Sequence, residues 1–212
     1  MNRTVAITSL GLAGDMPAPR EEDRFVAVGS YIGAAPRQAG VVDEGERLVR
    51  LGSALVVVDP ELAALFRFLR APRTHRDLEE EYKTATQASS RLSELLEAGL
   101  VIEIPAQDDD DRWAKVMKLR AIPWLETGAT ESSGIEGHFD IGSLLLDGET
   151  AATLRPVAFS IWAAIDGARP LTVILEDLVA GGLSRELVEQ HTPATLRILL
   201  ATALVRLDAV VA

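Results

Sequence analysis

The chain contains no cysteine, which removes disulfides, zinc ribbons and thiol nucleophiles together. Aromatics make up only 5% of its 212 residues, and the three histidines, His75, His138 and His191, lie far apart in expected turns. No two of them have the spacing of a metal-ligand pair. No apolar run approaches the ~20 residues that span a bilayer. There is no Gly-x-Ser-x-Gly elbow, no Gly-x-Gly-x-x-Gly turn and no Walker loop. Positive charge is scarce as well: 21 Lys+Arg stand against 32 Asp+Glu, a formal net charge of −11. Such a chain repels nucleic-acid backbones and anionic membranes unless its cations are gathered in one place. Asp108–Asp111 is a run of adjacent carboxylates without the spaced ligands and glycine of a calcium loop, so it reads as linker. What remains offers no catalytic constellation, no metal and no cofactor, and reads as a non-enzymatic cytoplasmic protein.

What is present is a good supply of core-forming residues. Apolar residues are 48% of the chain, with 16 Gly and 10 Pro, as in a folded protein. The length suits two small domains. Residues 1–23 lack sustained periodicity and read as a flexible arm, VAITSLGLAG being too interrupted for a signal peptide. Arg24–Ala34 is strand-like, and Ala35–Glu46 reads as a loop. Arg47–Leu51 and Ala54–Val58 form a hairpin turning at Gly52-Ser53. Asp59 is a natural N-cap and Pro60 suits the first helical turn. Leu62, Leu65, Phe66 and Leu69 then recur on one helical stripe, which Pro72 ends. Thr74 with Asp77 caps a second helix, with Leu78 and Tyr82 inward. Thr86–Ala98 is a third helix, stopped by Gly99, and Leu100–Ile104 returns as a strand.

A second copy follows. Phe139–Leu146 and Thr150–Leu154 make a hairpin about Asp147-Gly148. Pro156 starts a helix ended by Asp166-Gly167, and Leu171–Val179 is the next. Thr192-Pro193 reads as a cap and first-turn pair for a third helix, Pro193–Ala203, before a last strand at Leu204–Val210. Pro60 matches Pro156 at an offset of 96, and Leu95-Leu96 matches Leu199-Leu200 at 104, with the extra residues assigned to Gly181–Gln190. The expected organisation is therefore α+β: two winged-helix-like modules, each a β-hairpin plus three helices, at 24–104 and 138–212, joined by a linker at 105–137. Within that linker Trp113–Arg120 suggests a short helix and Glu126–Gly137 a flexible connector. Trp162 reads as core, while Trp113 and Trp124 are placed to pack across the modules or against a partner.

The second module, SLLLDGETAATLRPVAFSIWAAIDGARPLTVILEDLV, resembles the small PqqD-type peptide chaperone, including the helix-closing Asp166-Gly167 and the following Arg169. The first, LVRLGSALVVVDPELAALFRFLRAPRTHRDL, is similar in order but lacks the Asp-Gly. PqqD-like domains are the prototype of the recognition elements that serve ribosomally made, modified peptides. The resemblance implies capture of a precursor's leader peptide as an added strand, in the cleft between the hairpin's edge strand and the third helix, for presentation to a separate modifying enzyme. It implies a first cleft made by Ala54, Leu55, Val56, Val57 and Val58 with Gln87, Arg91, Glu94 and Leu95. The second would use Thr150, Ala152 and Leu154 with Thr195 and Arg197. A module that does not bind is left as a docking or dimerisation surface, so a homodimer belongs among the expected partners.

Two other readings share the architecture: a DNA-binding transcriptional regulator, and an adaptor like the tandem winged-helix chromosome-segregation subunits. The third helices argue against the first, since they offer Arg91 beside Glu94 and Glu97, or Arg197 alone. Arg67, Arg70, Arg73 and Arg76 are the best residual case for nucleic acid, and read more simply as a solvated rim facing the acidic Asp77–Glu81.

Overall fold

A computed structural model describes residues 22–34, 45–81, 85–106, 110–123, 127–132, 141–146 and 149–210, with side chains except at 85–88, 110, 127–132, 141–146 and 149–151. The fold is α+β. The first half runs β1 (Arg24–Ala27), β2 (Ser30–Ala34), β3 (Arg47–Leu51), β4 (Ala54–Val58), α1 (Pro60–Phe68), α2 (His75–Glu81), α3 (Ala85–Glu97) and β5 (Val101–Ile104). Strands β2, β3 and β4 form an antiparallel sheet in that order, while β1 pairs with β5. Between β1 and β2 the chain turns at Gly29, with φ +98°, where a Cβ would lie 2.3 Å from the Arg50 carbonyl oxygen.

Local chemistry accounts for the helix starts. The Asp59 carboxylate accepts from the Leu62 N–H at 2.8 Å, with Pro60 in the first turn. Thr74 and Asp77 form a reciprocal capping pair: the Thr74 N–H donates to Asp77 at 2.7 Å, and the Asp77 N–H to the Thr74 hydroxyl oxygen at 3.2 Å. The Thr74 N–H holds the Asp77 carboxyl below its usual pKa. Tyr82 lies outside the described residues.

The second half repeats this order after a connecting helix, α4 (Asp110–Met117). It runs β6 (Arg120–Pro123), β7 (Thr127–Ser132), β8 (Ile141–Leu146), β9 (Glu149–Leu154), α5 (Pro156–Ala164), α6 (Leu171–Ala180), α7 (Arg185–Ala201) and β10 (Val205–Asp208). Sheet β7-β8-β9 corresponds to β2-β3-β4, and β6·β10 to β1·β5. The register repeats too: Arg24 pairs with Ile104 and Arg120 with Asp208, the first members 96 residues apart and the second 104. The third helices even close alike. Leu100 N–H reaches the Leu95 carbonyl at 2.9 Å after Gly99 at φ +69°, and Leu204 N–H reaches Leu199 at 2.9 Å after Ala203 at φ +57°.

Four expectations are corrected. The stretch read as linker contains α4, β6 and β7, so the repeat starts at Arg120 and not at 138. Proline and Gly/Ser/Thr content hid these strands, which gain their order from pairing with β10 and β8. The last helix begins at Arg185 and runs through Pro193. Proline inside a helix costs about 3 kcal/mol, but only an unbroken helix presents Val188, Thr192, Thr195, Leu196, Leu199 and Leu200 to the core as one stripe. The extra residues of the second copy therefore lie largely in helix: α6 has 10 residues against 7 in α2, and α7 has 17 against 13 in α3. His75 and His191 also fall on helices rather than in turns, His75 lying edge-on to Phe25 with ring centroids 4.6 Å apart.

Two hydrophobic cores result, and β1 is the wall between them. Phe25 and Ala27 face a core of Val49, Val58, Leu65, Phe66, Leu69, Leu92 and Leu95. Val26 and Val28 face the other way, into a core with Ile104, Trp113, Val116, Leu171, Leu196, Leu199 and Leu207. The period of two along a strand thus serves both halves. Trp113 packs across the halves as expected, while Trp124 lies outside the described residues. Among the described residues no helix is long and apolar enough to cross a membrane.

Candidate functional site

Among the described residues, β4 is an edge strand with exposed apolar side chains. β4 pairs with β3 without interruption, from Ala54 opposite Leu51 to Val58 opposite Arg47, and among the described residues has no strand on its other side. Alternation along β4 sends Val58 inward, 5% exposed, and leaves Leu55 and Val57 outward, 61% and 54% exposed. Ala54 is exposed and Val56 half-buried. An apolar edge without proline, lysine or bulge presents a row of unpaired backbone groups to any extended chain. The opposite edge of the same sheet is blunted. Tyr31 pairs with Val49 and Gly33 with Leu48, so Ile32 is an extra, bulged residue.

Beyond the C-terminal end of β4, Arg91 of α3 gathers three carboxylates: Asp59 at 3.2 Å, Glu61 at 3.2 Å and Glu94 at 3.0 Å. The hydrogen bond that Arg91 donates to Glu94 and the charge of Asp59 raise the Arg91 pKa above its ordinary value. This cluster ties the start of α1 to α3. Leu95 sits one turn on but is fully buried in the first core, so it forms the floor of any cleft and not its lining. Gln87 is among the residues whose side chains are not described.

The corresponding place in the second half is built differently. Leu144 pairs with Ala152 and Leu145 with Thr150, so β9 carries the bulge, at Ala151. Ala152 and Leu154 are 4% and 1% exposed, inside the second core. Thr195 is buried and its hydroxyl donates to the His191 carbonyl at 2.7 Å. Arg197 donates to the Pro105 carbonyl at 3.0 Å and lies 5.2 Å from the centre of the Trp113 ring. Ala152, Leu154, Thr195 and Arg197 are thus engaged within the protein, and the side chain of Thr150 is not described. No family model, no curated protein and no solved structure matches the chain.

One residue that shapes this site was not apparent in the sequence. Asp208 of β10 is completely buried. Its Oδ1 accepts from the Gly52 N–H at 2.8 Å and the Ala209 N–H at 2.9 Å, and its Oδ2 from Arg120 at 2.8 Å. Gly52, at φ +59°, is the turn from which β4 departs, and a Cβ there would meet the Ala209 carbonyl oxygen at 3.2 Å. The second half therefore holds the hairpin that carries the open edge. Extending the 96-residue offset back from Pro156 to Arg120 would have aligned RFVA with RAIP and exposed the β6·β10 ribbon, though not the contact with Gly52. The basic cluster is dispersed: Arg67 lies 5.5 Å from the Tyr31 ring centre, Arg73 4.7 Å from that of Phe68, and Arg76 pairs with Glu80 at 3.1 Å. Among the described residues no group of three His, Asp or Glu side chains is arranged to hold a metal.

Proposed function

We propose that the protein is a non-catalytic peptide-binding protein. It captures an extended peptide by strand addition at β4 and presents it to a separate modifying enzyme, as its resemblance to PqqD-type chaperones implies. The observation that carries this reading is the open, regularly paired β4 edge with Leu55 and Val57 exposed. Main-chain hydrogen bonds to such an edge supply affinity, and alternate side-chain contacts supply selectivity. The first module is the binding module and the second its scaffold, in a cytoplasmic peptide-modification system. The regulator reading is weaker, because Arg91 is engaged by three carboxylates and Arg197 by Pro105 and Trp113.

Fluorescence polarisation with labelled leader peptides encoded beside the gene tests this, with a random duplex DNA as control. Micromolar or tighter peptide binding without DNA binding is the expected result. Adjacent strand residues alternate in the direction of their N–H groups, so one of Val56→Pro and Val57→Pro removes an outward donor. That variant loses binding, and Leu55→Asp, at an exposed position, weakens it about tenfold without changing the fold. DNA binding alone, or unchanged peptide affinity in the folded variants, rejects the reading.

A further inference from the structure

We propose that the β4 edge selects the charge direction of its peptide. It takes a segment running antiparallel to β4, with a basic side chain toward the segment's N-terminal end and an acidic one toward its C-terminal end. This rests on the strand-addition reading above and adds to it a property of the ligand.

The two ends of β4 differ in charge. Past Val58, three carboxylates surround one guanidinium, and two of the three, Glu61 and Glu94, keep 60% and 45% of their side chains exposed. Arg47, opposite Val58, adds one cation at this end, its guanidinium donating to the carbonyls of Gly45 and Glu46 at 3.2 and 3.1 Å, and the exposed Glu46 beside it adds one anion, so carboxylates stay in excess. At the other end, Arg50 stands opposite Leu55 on the outer face, exposed, with no ion pair formed among the described residues. Between these ends the outer face is apolar: Ile32, Leu48, Leu55 and Val57.

A strand added antiparallel to β4 begins beside Val58 and ends beside Ala54, so its first residues meet the carboxylate excess and its last meet Arg50. Its outward side chains flank Leu55 and Val57. A peptide is the occupant favoured here over a second copy. Four partly exposed apolar side chains fall well short of the ~800 Å² per partner that a stable association of folded surfaces buries. Main-chain pairing instead holds an extended segment with little side-chain area.

Two end-blocked peptides of identical composition test the inference on the full chain. Both carry an alternating Val/Thr core; one has two lysines before it and two glutamates after, and the other has them reversed. The lysine-first peptide should bind about fivefold more tightly at low salt, as two exposed ion pairs allow. The preference should vanish near ~1 M salt. It should invert in the double variant Arg50→Glu, Glu94→Lys, whose substitutions sit on exposed positions. Equal affinities overturn the directional inference and leave strand addition standing. Binding of neither peptide overturns both. A homodimer in sedimentation, with β4 amides protected from exchange in the absence of peptide, makes a second copy the occupant and overturns the inference as well.

Discussion

In the first half of the molecule β4 follows its neighbour residue for residue and has no further strand beside it among the described residues, with Leu55 and Val57 outward. In the second half β9 holds the same place in an identical strand order, but it is bulged at Ala151 and carries the exposed, polar Thr153 where β4 has Val57, while Ala152 and Leu154 face a core as Val56 and Val58 do. The ribbons differ as well. Val26, Val28, Ile102 and Ile104 make one face of β1·β5 apolar, while the matching positions of β6·β10 include Ile122, Arg206 and Asp208. The first ribbon therefore packs an apolar face into the second core, whereas the second ribbon uses the buried Asp208 to hold the Gly52 turn of the first half and leaves Arg206 exposed. The repeat keeps the topology while the details diverge: the first copy has a regular, apolar edge strand, the second a bulged one, and the second anchors the first copy's hairpin through Asp208.

Five substitutions break or sharpen that contrast. The largest effect is expected from Asp208→Ala, which strands Arg120 and the Gly52 N–H in a buried site. Removing one partner of a buried pair costs about 3 kcal/mol, read as a lower urea midpoint. Peptide affinity at β4 should fall with it, because the hairpin loses its anchor. Ile104→Ala, at the equivalent position of β5, should lower stability through a cavity while leaving the Gly52 contact intact. Next comes the matched helix end. Both copies need a left-handed residue there, and only the first supplies glycine. Ala203→Gly should stabilise by about 1 kcal/mol and Gly99→Ala destabilise by a similar amount, measured by thermal melting. The smallest effect belongs to the Asp166 turn, which the first half lacks. The Arg169 and Ala168 N–H groups, with the Arg169 guanidinium, lower the Asp166 pKa from 3.8 to about 2. A depressed carboxylate stabilises the fold above its unfolded pKa and ceases to as pH falls through the folded one. Wild type should thus lose a contribution between pH 3.8 and about 2 that Asp166→Asn lacks. The site is partly exposed, so the difference in urea midpoint between the two, followed over that range, should correspond to less than ~1 kcal/mol.

Much of this architecture was legible because short-range chemistry decides it. Asp59-Pro60, the Thr74/Asp77 pair, Gly99 and the spacing of Leu62, Leu65, Phe66 and Leu69 each act within a turn or two of helix. The edge residues Ala54–Val58 were readable for the same reason, since alternation and a following Pro locate the strand. What escaped depends on distant partners. RAIP becomes a strand only through VRLD, more than eighty residues later, and Pro193 is tolerated only because a core claims both flanks of α7. Leu95, Ala152, Leu154 and Thr195 were assigned to clefts from their strand and helix positions, but which face of an element is buried depends on what packs against it. Nothing local announces the burial of Asp208, which its bonds to Gly52 and Arg120 explain.

The double burial of β1 also sets an order of events during synthesis. The core that takes Phe25 and Ala27 can close once Ile104 has been made, but Val26, Val28 and Ile104 await Leu196–Leu207, on the order of a hundred residues later. At ~5–20 residues per second, the nascent chain carries an uncovered apolar ribbon for roughly 5–20 s. During that interval the ribosome-bound first half is the species most exposed to chaperones and to aggregation. Pausing across the second half should therefore lower yield by lengthening that interval.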